Sequence, residues 1–176
     1  MILYHGTDRQ SALNIKENGV DLTKGRKKAD FGQGFYLTPS KESAILWARR
    51  KSELSIPYLV SVDFDIDQAR RKFNLKEFLY SDEKWAQFII NNRNGLKYIS
   101  RVYDQDNNLD HVYPVVIGQI ADGNISYISR QLEKQGLPVS SSELREMLEA
   151  KYPKQISLHT PEAVSFIRSF RFTEIK

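Results

Sequence analysis

The chain has 176 residues and a formal net charge of +4, with 26 Lys and Arg residues against 22 Asp and Glu residues. The length predicts a single domain over residues 1–176, large enough to bury a core. The absence of cysteine excludes a disulfide scaffold, a thiolate zinc site and a cysteine nucleophile, and it fits a cytoplasmic location. No apolar run approaches the ~18 residues of a membrane helix, and no basic and apolar leader opens the chain, so we expect no membrane partner.

The first part of the chain predicts short strands separated by capped helices. Thr7 or Asp8 begins a helix that Gly19 ends, and Thr38 caps a second helix with Pro39 at its first position. In chain order we expect a strand over 1–6, a helix over 7–19, a loop over 20–33, a strand over 34–38, a helix over 38–52 and a strand over 58–66.

The rest of the chain is richer in helices. In order we expect two helical pieces over 75–95, a strand over 113–121, helices over 124–136 and 141–152, a strand over 154–160, a short helix over 161–169 and a strand over 170–175. Trp47 and Trp85 are predicted to anchor the core, His111 to lie in a solvated loop and His159 to pack near the last helix. Because the strands do not follow a βαβ rhythm, the layout predicts an α+β fold.

Several common catalytic motifs are missing from the sequence. It contains no Gly-x-x-x-x-Gly-Lys-Ser/Thr phosphate loop and no Gly-x-Ser-x-Gly nucleophile elbow. The segment GQGFYL is not a dinucleotide fingerprint, because it lacks the third glycine and precedes a strand. The three histidines lie far apart without metal-ligand spacing, so we expect no metal.

Two motifs, LYHGT and FGQGFYLT, carry the chemistry that remains. His5 followed by Gly6 gives a hydrogen-bonding side chain beside backbone that a ligand can approach closely. Tyr36, which follows two glycines, offers an aromatic face to a flat ring, and Ser43 brings a hydroxyl within reach of a polar group on that ring. The basic segment 24–28 (KGRKK) precedes them as a solvated loop or a contact for phosphates. Together these residues predict a site for a nucleotide that carries a planar amide ring.

The pair LYHGT and FGQGFYLTPSKESA resembles the ADP-ribosyltransferase superfamily, in its poly(ADP-ribose) polymerase and diphtheria-toxin branch. With EKWAQFIINNR, VVIGQIAD and QISLHTPEAVSFI, nearly the whole chain is also similar to a bacterial domain family of unknown function thought to belong there. The resemblance implies a split core of two small antiparallel sheets with flanking helices and a helical middle insertion. It also implies a glycosyltransferase, an NAD-dependent mono-ADP-ribosyltransferase that releases nicotinamide and modifies a macromolecular acceptor.

The same resemblance implies a role for individual residues. His5 would bond the adenosine-side ribose of NAD, Gly6 would clamp the nicotinamide carboxamide through its backbone, and Tyr36 would stack on the nicotinamide ring. Ser43 would bond the carboxamide, and the loop at 24–28 would cover the co-substrate. The implied NAD-binding set is His5, Gly6, Thr7, Phe31, Gly34, Tyr36, Ser43 and Arg26, and the implied catalytic set is Gln155, Tyr36 and His5.

One position departs from the superfamily pattern. A glutamate usually begins the late strand, where it binds the 2′-hydroxyl of the nicotinamide ribose and stabilises positive charge at the anomeric carbon. Here the matching residue is Gln155, which can accept the hydroxyl proton but brings no charge. By analogy with the loss of one oxyanion-hole group, a missing charge can cost about 3 kcal/mol. Asp122 and Glu162 are the candidate substitutes for that carboxylate, and Asp30 is a candidate brace for the loop.

Two other functions stay open at this point. Gln155 favours a protein that binds NAD or ADP-ribose without catalysis. The sequence pI near 9.2 and the basic loop favour a nucleic-acid-associated protein or a nucleic-acid-directed transferase. By analogy with small bacterial enzymes of this kind, the protein is a candidate toxin or effector with a neutralising partner protein.

Overall fold

Five helices and seven strands make up the computed structural model, which describes residues 1–95, 106–121 and 153–176. The helices are α1 (Arg9–Asn18), α2 (Lys41–Lys51), α3 (Ile66–Lys72), α4 (Glu83–Asn94) and α5 (Pro161–Val164), with a 3₁₀ turn at Leu22–Lys24. The strands are β1 (Ile2–Asp8), β2 (Phe35–Leu37), β3 (Pro57–Phe64), β4 (Lys76–Glu77), β5 (Val115–Gln119), β6 (Lys154–Leu158) and β7 (Ile167–Glu174). The predicted α+β class is confirmed.

The strands form two sheets. One has three strands in the order β1-β3-β7, and the other has four in the order β2-β6-β5-β4. Every pair is antiparallel except β4 with β5, which is parallel from Lys76 opposite Val116. The expected two small sheets are therefore present, with one parallel pair that the sequence did not indicate.

The two sheets share one core. Strand residues alternate between faces, so Phe35 and Leu37 of β2 point the same way as Ile156 and Leu158 of β6. This main core joins side chains of both sheets: Leu3, Phe35, Leu37, Val60, Val62, Phe64, Val115, Ile117, Ile156 and Leu158, among others. The opposite face of the four-stranded sheet packs on a second, aromatic core, whose members include Phe31, Phe78, Trp85, Phe88, Ile89 and Val116.

The helix starts follow side-chain caps. Asp8 caps α1 by accepting a bond from the Ser11 N–H at 2.8 Å, and Gly19 ends that helix at a φ of 80°, as expected. The prediction that Thr38 caps α2 is wrong, because Ser40 is the cap and its Oγ accepts from the Ser43 N–H. Thr38 instead pairs with Tyr4 as an isolated bridge, so its backbone is extended.

Other predictions need correction. Trp85 is fully buried as expected, whereas Trp47 is 47% exposed on the outer face of α2 and does not anchor the core. The first helical piece expected in 75–95 is the short strand β4, and α3 was not predicted. Strand β7 begins at Ile167, inside the expected last helix.

Part of the expected helical middle falls on residues that the structure does not describe. The helices predicted over 124–136 and 141–152, and Asp122, lie outside the described residues. Within the described residues, no helix is long and apolar enough to cross a membrane.

Candidate functional site

Two edge strands from different sheets meet and then separate. β1 is an edge of the three-stranded sheet, and β2 is an edge of the four-stranded sheet. Tyr4 and Thr38 exchange two backbone hydrogen bonds of 2.8 and 2.9 Å. In a continued antiparallel ladder, Gly6 and Tyr36 would form the next bonded pair. Among the described residues no backbone bond joins them, and the Tyr36 carbonyl oxygen instead lies 2.8 Å from the His5 Nδ1. We call this place, formed by Tyr4, His5, Gly6, Tyr36 and Thr38, the strand junction.

Gly6 is buried, and its backbone N–H and C=O face away from β3. Because Tyr4 bonds Thr38, alternation along β1 directs both groups to the side on which β2 lies. In the described part of the chain, neither group has a hydrogen-bond partner. A Cβ on Gly6 would lie 1.9 Å from the Ala44 carbonyl oxygen, so this glycine also lets α2 approach β1 closely.

His5 is held in its neutral form. The pKa of His5 is lowered to about 4, chiefly by burial and to a smaller extent by nearby Lys51, while the bond to the Tyr36 carbonyl and the charge of Asp8 act in the opposite direction. A carbonyl only accepts, so Nδ1 carries the proton and donates it, and Nε2 remains an acceptor. The Phe35 ring, centred 4.6 Å away, supports the imidazole.

Tyr36 is fixed at its hydroxyl end by the preceding loop. Its OH donates to the Gly32 carbonyl at 2.6 Å and accepts from the Phe31 N–H at 2.9 Å. Burial, and after it the charge of Asp30, raises the pKa of this phenol well above its ordinary value, so it stays protonated. The Phe31 side chain is fully buried in the aromatic core and leaves no surface for a ligand, so Phe31 serves the junction through its backbone.

The loop before β2 is held by hydrogen bonds within itself and by a cation–π contact with α2. The Gln33 side chain donates to the carbonyls of Thr23 and Gly25, at 2.8 and 3.0 Å. The Arg26 guanidinium lies 5.5 Å from the centre of the Trp47 ring, a cation–π distance. The neighbouring side chains of Lys24, Lys27 and Lys28 are exposed. Arg26 therefore contacts the outer face of α2 at Trp47, while the three lysines of the basic segment lie in solvent.

Gly34 makes room for a histidine. A Cβ there would lie 2.7 Å from the Nδ1 of His159, which bonds the Gln33 carbonyl at 2.8 Å. The other ring nitrogen of His159 lies 2.8 Å from the Ser157 hydroxyl. The pKa of His159 is lowered to about 4, chiefly by burial and to a smaller extent by nearby His111, while the bond to the Gln33 carbonyl acts in the opposite direction. The prediction that His159 packs near the last helix describes only part of its surroundings, because its polar contacts are with the loop before β2 and with Ser157.

Gln155 lies beside a charged pair that the sequence did not reveal. It shares a face of the four-stranded sheet with Tyr36, since Tyr36 pairs with Ser157 two residues further along β6. Its Nε2 donates to Asp30 Oδ2 at 3.1 Å and to the Gln119 carbonyl at 3.3 Å. Asp30 in turn forms an ion pair of 2.6 Å with Arg93 of α4. Asp30 and Arg93 are 63 positions apart, so no local pattern could have predicted their contact.

The other predicted site residues, Thr7, Ser43 and Glu162, lie in three different parts of the structure. Thr7 is fully buried, and its hydroxyl accepts from the Lys51 ammonium at 2.9 Å, so that oxygen already serves the packing of α2. Ser43 is half-buried and directly precedes Ala44, the residue that Gly6 touches. Glu162 is exposed on α5, and in the described ranges no contact joins it to Gln155.

A cavity of about 290 Å³ lies away from the junction. It is lined by residues of β4, the start of α4 and the segment at Asp106. The Lys76 ammonium, which forms an ion pair with Asp106, lies 5.3–5.8 Å from three aromatic rings beside it. None of the predicted site residues lines this cavity. Within residues 1–95, 106–121 and 153–176, no three His, Asp or Glu side chains are grouped as metal ligands.

The fold and the junction define an α+β protein whose two mostly antiparallel sheets meet through one pair of edge strands. The family model described as "Protein of unknown function (DUF3990)" matches residues 1–169, and the chain belongs to that family. No curated protein matches the chain, and no solved structure matches it. The family description assigns no activity, so a function has to be argued from the residues of the junction.

Proposed function

We propose that this protein is an NAD-dependent mono-ADP-ribosyltransferase, which transfers ADP-ribose to a macromolecular acceptor and releases nicotinamide. The observation that carries the proposal is the interrupted ladder between Gly6 and Tyr36. There the Gly6 backbone has one donor and one acceptor without a partner among the described residues, on the side of β1 that faces away from β3. A primary carboxamide such as that of nicotinamide has the complementary acceptor and donor, so Gly6 can bind it at two points.

The surrounding side chains suit the rest of such a ligand. The Tyr36 ring is held in place by two hydrogen bonds at its hydroxyl. Stacking on the nicotinamide ring therefore costs it little further conformational entropy. The neutral His5 keeps an Nε2 acceptor for a ribose hydroxyl. Ser43 lies next to the residue that contacts Gly6, which favours a second bond to the carboxamide. The exposed lysines of the loop at 24–28 attract the diphosphate.

The proposed reaction exchanges one bond for another at the anomeric carbon. The bond from C1′ of the ribose to the nicotinamide nitrogen breaks, and its electron pair neutralises the cationic ring as it leaves. A nucleophile of the acceptor forms the new bond to C1′ and gives up its proton to solvent or to a nearby base. Gln155 accepts a hydrogen bond from the 2′-hydroxyl through Oε1. The site contributes chiefly by orienting the two reactants.

The first test is a titration with NAD that follows both binding and nicotinamide release. We expect the wild type to bind NAD and release nicotinamide, and the double variant His5→Ala/Tyr36→Ala to lose release by at least about 100-fold, because it removes the ring support and the ribose contact. Tyr80→Ala is the matched control, since Tyr80 is 73% exposed and far from the junction in the fold. Circular dichroism and thermal unfolding should show that each variant is folded. No binding at millimolar NAD would refute the proposal.

A second candidate function is a sensor that binds NAD or ADP-ribose without cleaving it. The observation that favours it is electrostatic: Gln155 is neutral, and the Asp30 carboxylate beside it already pairs with Arg93. Saturable NAD binding without nicotinamide release, with or without candidate acceptors, would support this reading over the transferase.

A nucleic-acid acceptor is favoured by the exposed Lys24, Lys27 and Lys28. Binding of DNA or RNA that weakens steeply with salt would support it, and a flat salt dependence would exclude it.

A further inference from the structure

We propose that Asp30 is a positioning residue that orients and polarises the Gln155 amide, and so supplies from a loop the charge that residue 155 lacks. This inference rests on the proposed function, because it concerns how Gln155 would act on the ribose. Gln155 is 8% exposed, and Asp30 is 125 positions before it in the chain. Their contact is a product of the tertiary fold.

The hydrogen bonds leave the amide only one orientation. The Nε2 of Gln155 has two acceptors within reach, Asp30 Oδ2 at 3.1 Å and the Gln119 carbonyl at 3.3 Å. Neither a carboxylate nor a carbonyl can donate, so a flipped amide would place oxygen against oxygen at both contacts. The amino group must therefore face Asp30 and Gln119. The carbonyl Oε1 is directed away from them and remains an acceptor.

Asp30 is itself held so that one oxygen is available for this task. Arg93 binds Oδ1 through Nε at 2.9 Å and through Nη2 at 2.6 Å. Oδ2 accepts from Gln155 and, at 3.4 Å, from the Ala121 N–H. Charge-assisted bonds of this kind are stronger than neutral ones and fix geometry, so the carboxylate cannot rotate freely.

The same short segment also positions Tyr36. Phe31, directly after Asp30, donates its N–H to the Tyr36 hydroxyl, and Gly32 accepts from it. Residues 30–32 therefore contact both Gln155 and Tyr36, two of the side chains on this face of the four-stranded sheet. A negative charge on the amide N–H side draws electron density toward Oε1, which strengthens it as an acceptor for the 2′-hydroxyl. In this proposal a chain of two hydrogen bonds joins the ribose hydroxyl, the Gln155 amide and the Asp30 carboxylate.

This arrangement explains why a glutamate at position 155 would not simply improve the site. The carboxylate introduced by Gln155→Glu would lie within hydrogen-bond distance of the Asp30 carboxylate, and two like charges that close disfavour each other's ionisation. We therefore expect Gln155→Glu to lower turnover rather than raise it, unless the Asp30 charge is removed as well.

The test is a charge exchange between the two positions. We expect Asp30→Asn to lower kcat for nicotinamide release by about 10- to 100-fold with little change in the KM for NAD, as found when outer partners of functional groups are lost. Gln155→Glu should also lose activity. The double variant Asp30→Asn/Gln155→Glu should exceed both single variants, because the introduced asparagine amide can donate to the introduced carboxylate. Asp110→Asn, in an exposed loop, is the matched control and should behave as wild type.

A measurement without NAD keeps the inference separate from the proposed function. The Gln155 side-chain NH₂ signals, identified by their loss in Gln155→Glu, should exchange slowly with solvent in the wild type and faster in Asp30→Asn. A wild type that neither binds nor cleaves NAD would refute the proposed function, and with it any catalytic use of this contact. A wild type that cleaves NAD, with an unchanged kcat in Asp30→Asn or with losses that multiply in the double variant, would refute the role of Asp30 alone.

Discussion

Gly6→Ala is expected to destabilise the protein by more than about 4 kcal/mol, enough to prevent folding in a domain of ordinary stability. An added Cβ would meet the Ala44 carbonyl oxygen at 1.9 Å and the Ala48 nitrogen at 2.9 Å. Both atoms belong to the backbone of α2, which cannot move aside as a flexible side chain can. The helix would have to separate from β1, with loss of the packing of the buried Ala44 and Ala48. Urea unfolding followed by circular dichroism measures the effect.

Gly19→Ala is the matched control for this prediction. Gly19 has a φ of 80°, which disfavours alanine, but a Cβ there meets no atom within 4 Å. We expect it to cost less, about 1–3 kcal/mol, because a φ of 80° with a ψ of −172° is strained for alanine but brings no clash. Equal and small losses in the two variants would show that α2 does not approach Gly6 as closely as described. A large loss in Gly6→Ala also means that its inactivity would not by itself show a ligand contact at Gly6.

The free energy of unfolding is expected to fall as the pH is lowered from 7 toward 5. His5 and His159 both have a folded pKa lowered from 6.5 to about 4 by burial. Between those values the unfolded chain binds protons that the folded chain does not, so stability is complete above pH 6.5 and is lost as the pH falls toward 4. His159, which is 1% exposed, should account for about 2 kcal/mol of loss by pH 5, and the half-buried His5 for less.

Carboxylates do not explain a loss in this range. Asp8, Asp21 and Asp65 have pKa values lowered below 3.8, so their contribution disappears only at more acidic pH. Urea unfolding at pH 7, 6 and 5 gives the slope, and His159→Gln should remove the larger part of it. Ring proton spectra give an independent check, since the His159 signals of the folded protein should not titrate in this range. A slope that His159→Gln leaves unchanged, or a His159 that titrates near 6.5, would contradict the expectation.

Part of the secondary structure of this protein could be predicted from local sequence, because helix caps, helix ends and strand alternation depend on short-range interactions. The cap at Asp8, the stop at Gly19 and the alternation of β3 each depend on residues within a few positions of one another. The α+β class followed from the same signals. Trp85 was predicted correctly as a core residue and Trp47 was not, since both helices carry an apolar stripe but only α4 has an aromatic core to cover it.

Only part of the candidate site could be predicted from the sequence. His5, Gly6 and Tyr36 were selected from two motifs about thirty residues apart, and the fold brings them to one junction. Thr38 was assigned to a helix because local caps look alike, but pairing with Tyr4 makes its backbone extended. Phe31 and Gly34 were grouped with the ligand site, whereas packing places Phe31 in the aromatic core and Gly34 against His159.

The amino-acid sequence by itself determined most of the helices and strands, though not α3, β4 or the start of β7, because caps, turns and periodicity act between near neighbours. Only the tertiary structure decided what surrounds those residues. The contacts of Gln155 with Asp30, and of Asp30 with Arg93, span 125 and 63 positions. Such contacts form when distant segments pack on one sheet face, and no periodicity in the chain encodes their distance or direction. The sequence offered Asp122 and Glu162 as candidates for the charge beside Gln155. Asp122 lies outside the described residues, and among the described residues the carboxylate bonded to Gln155 is that of Asp30.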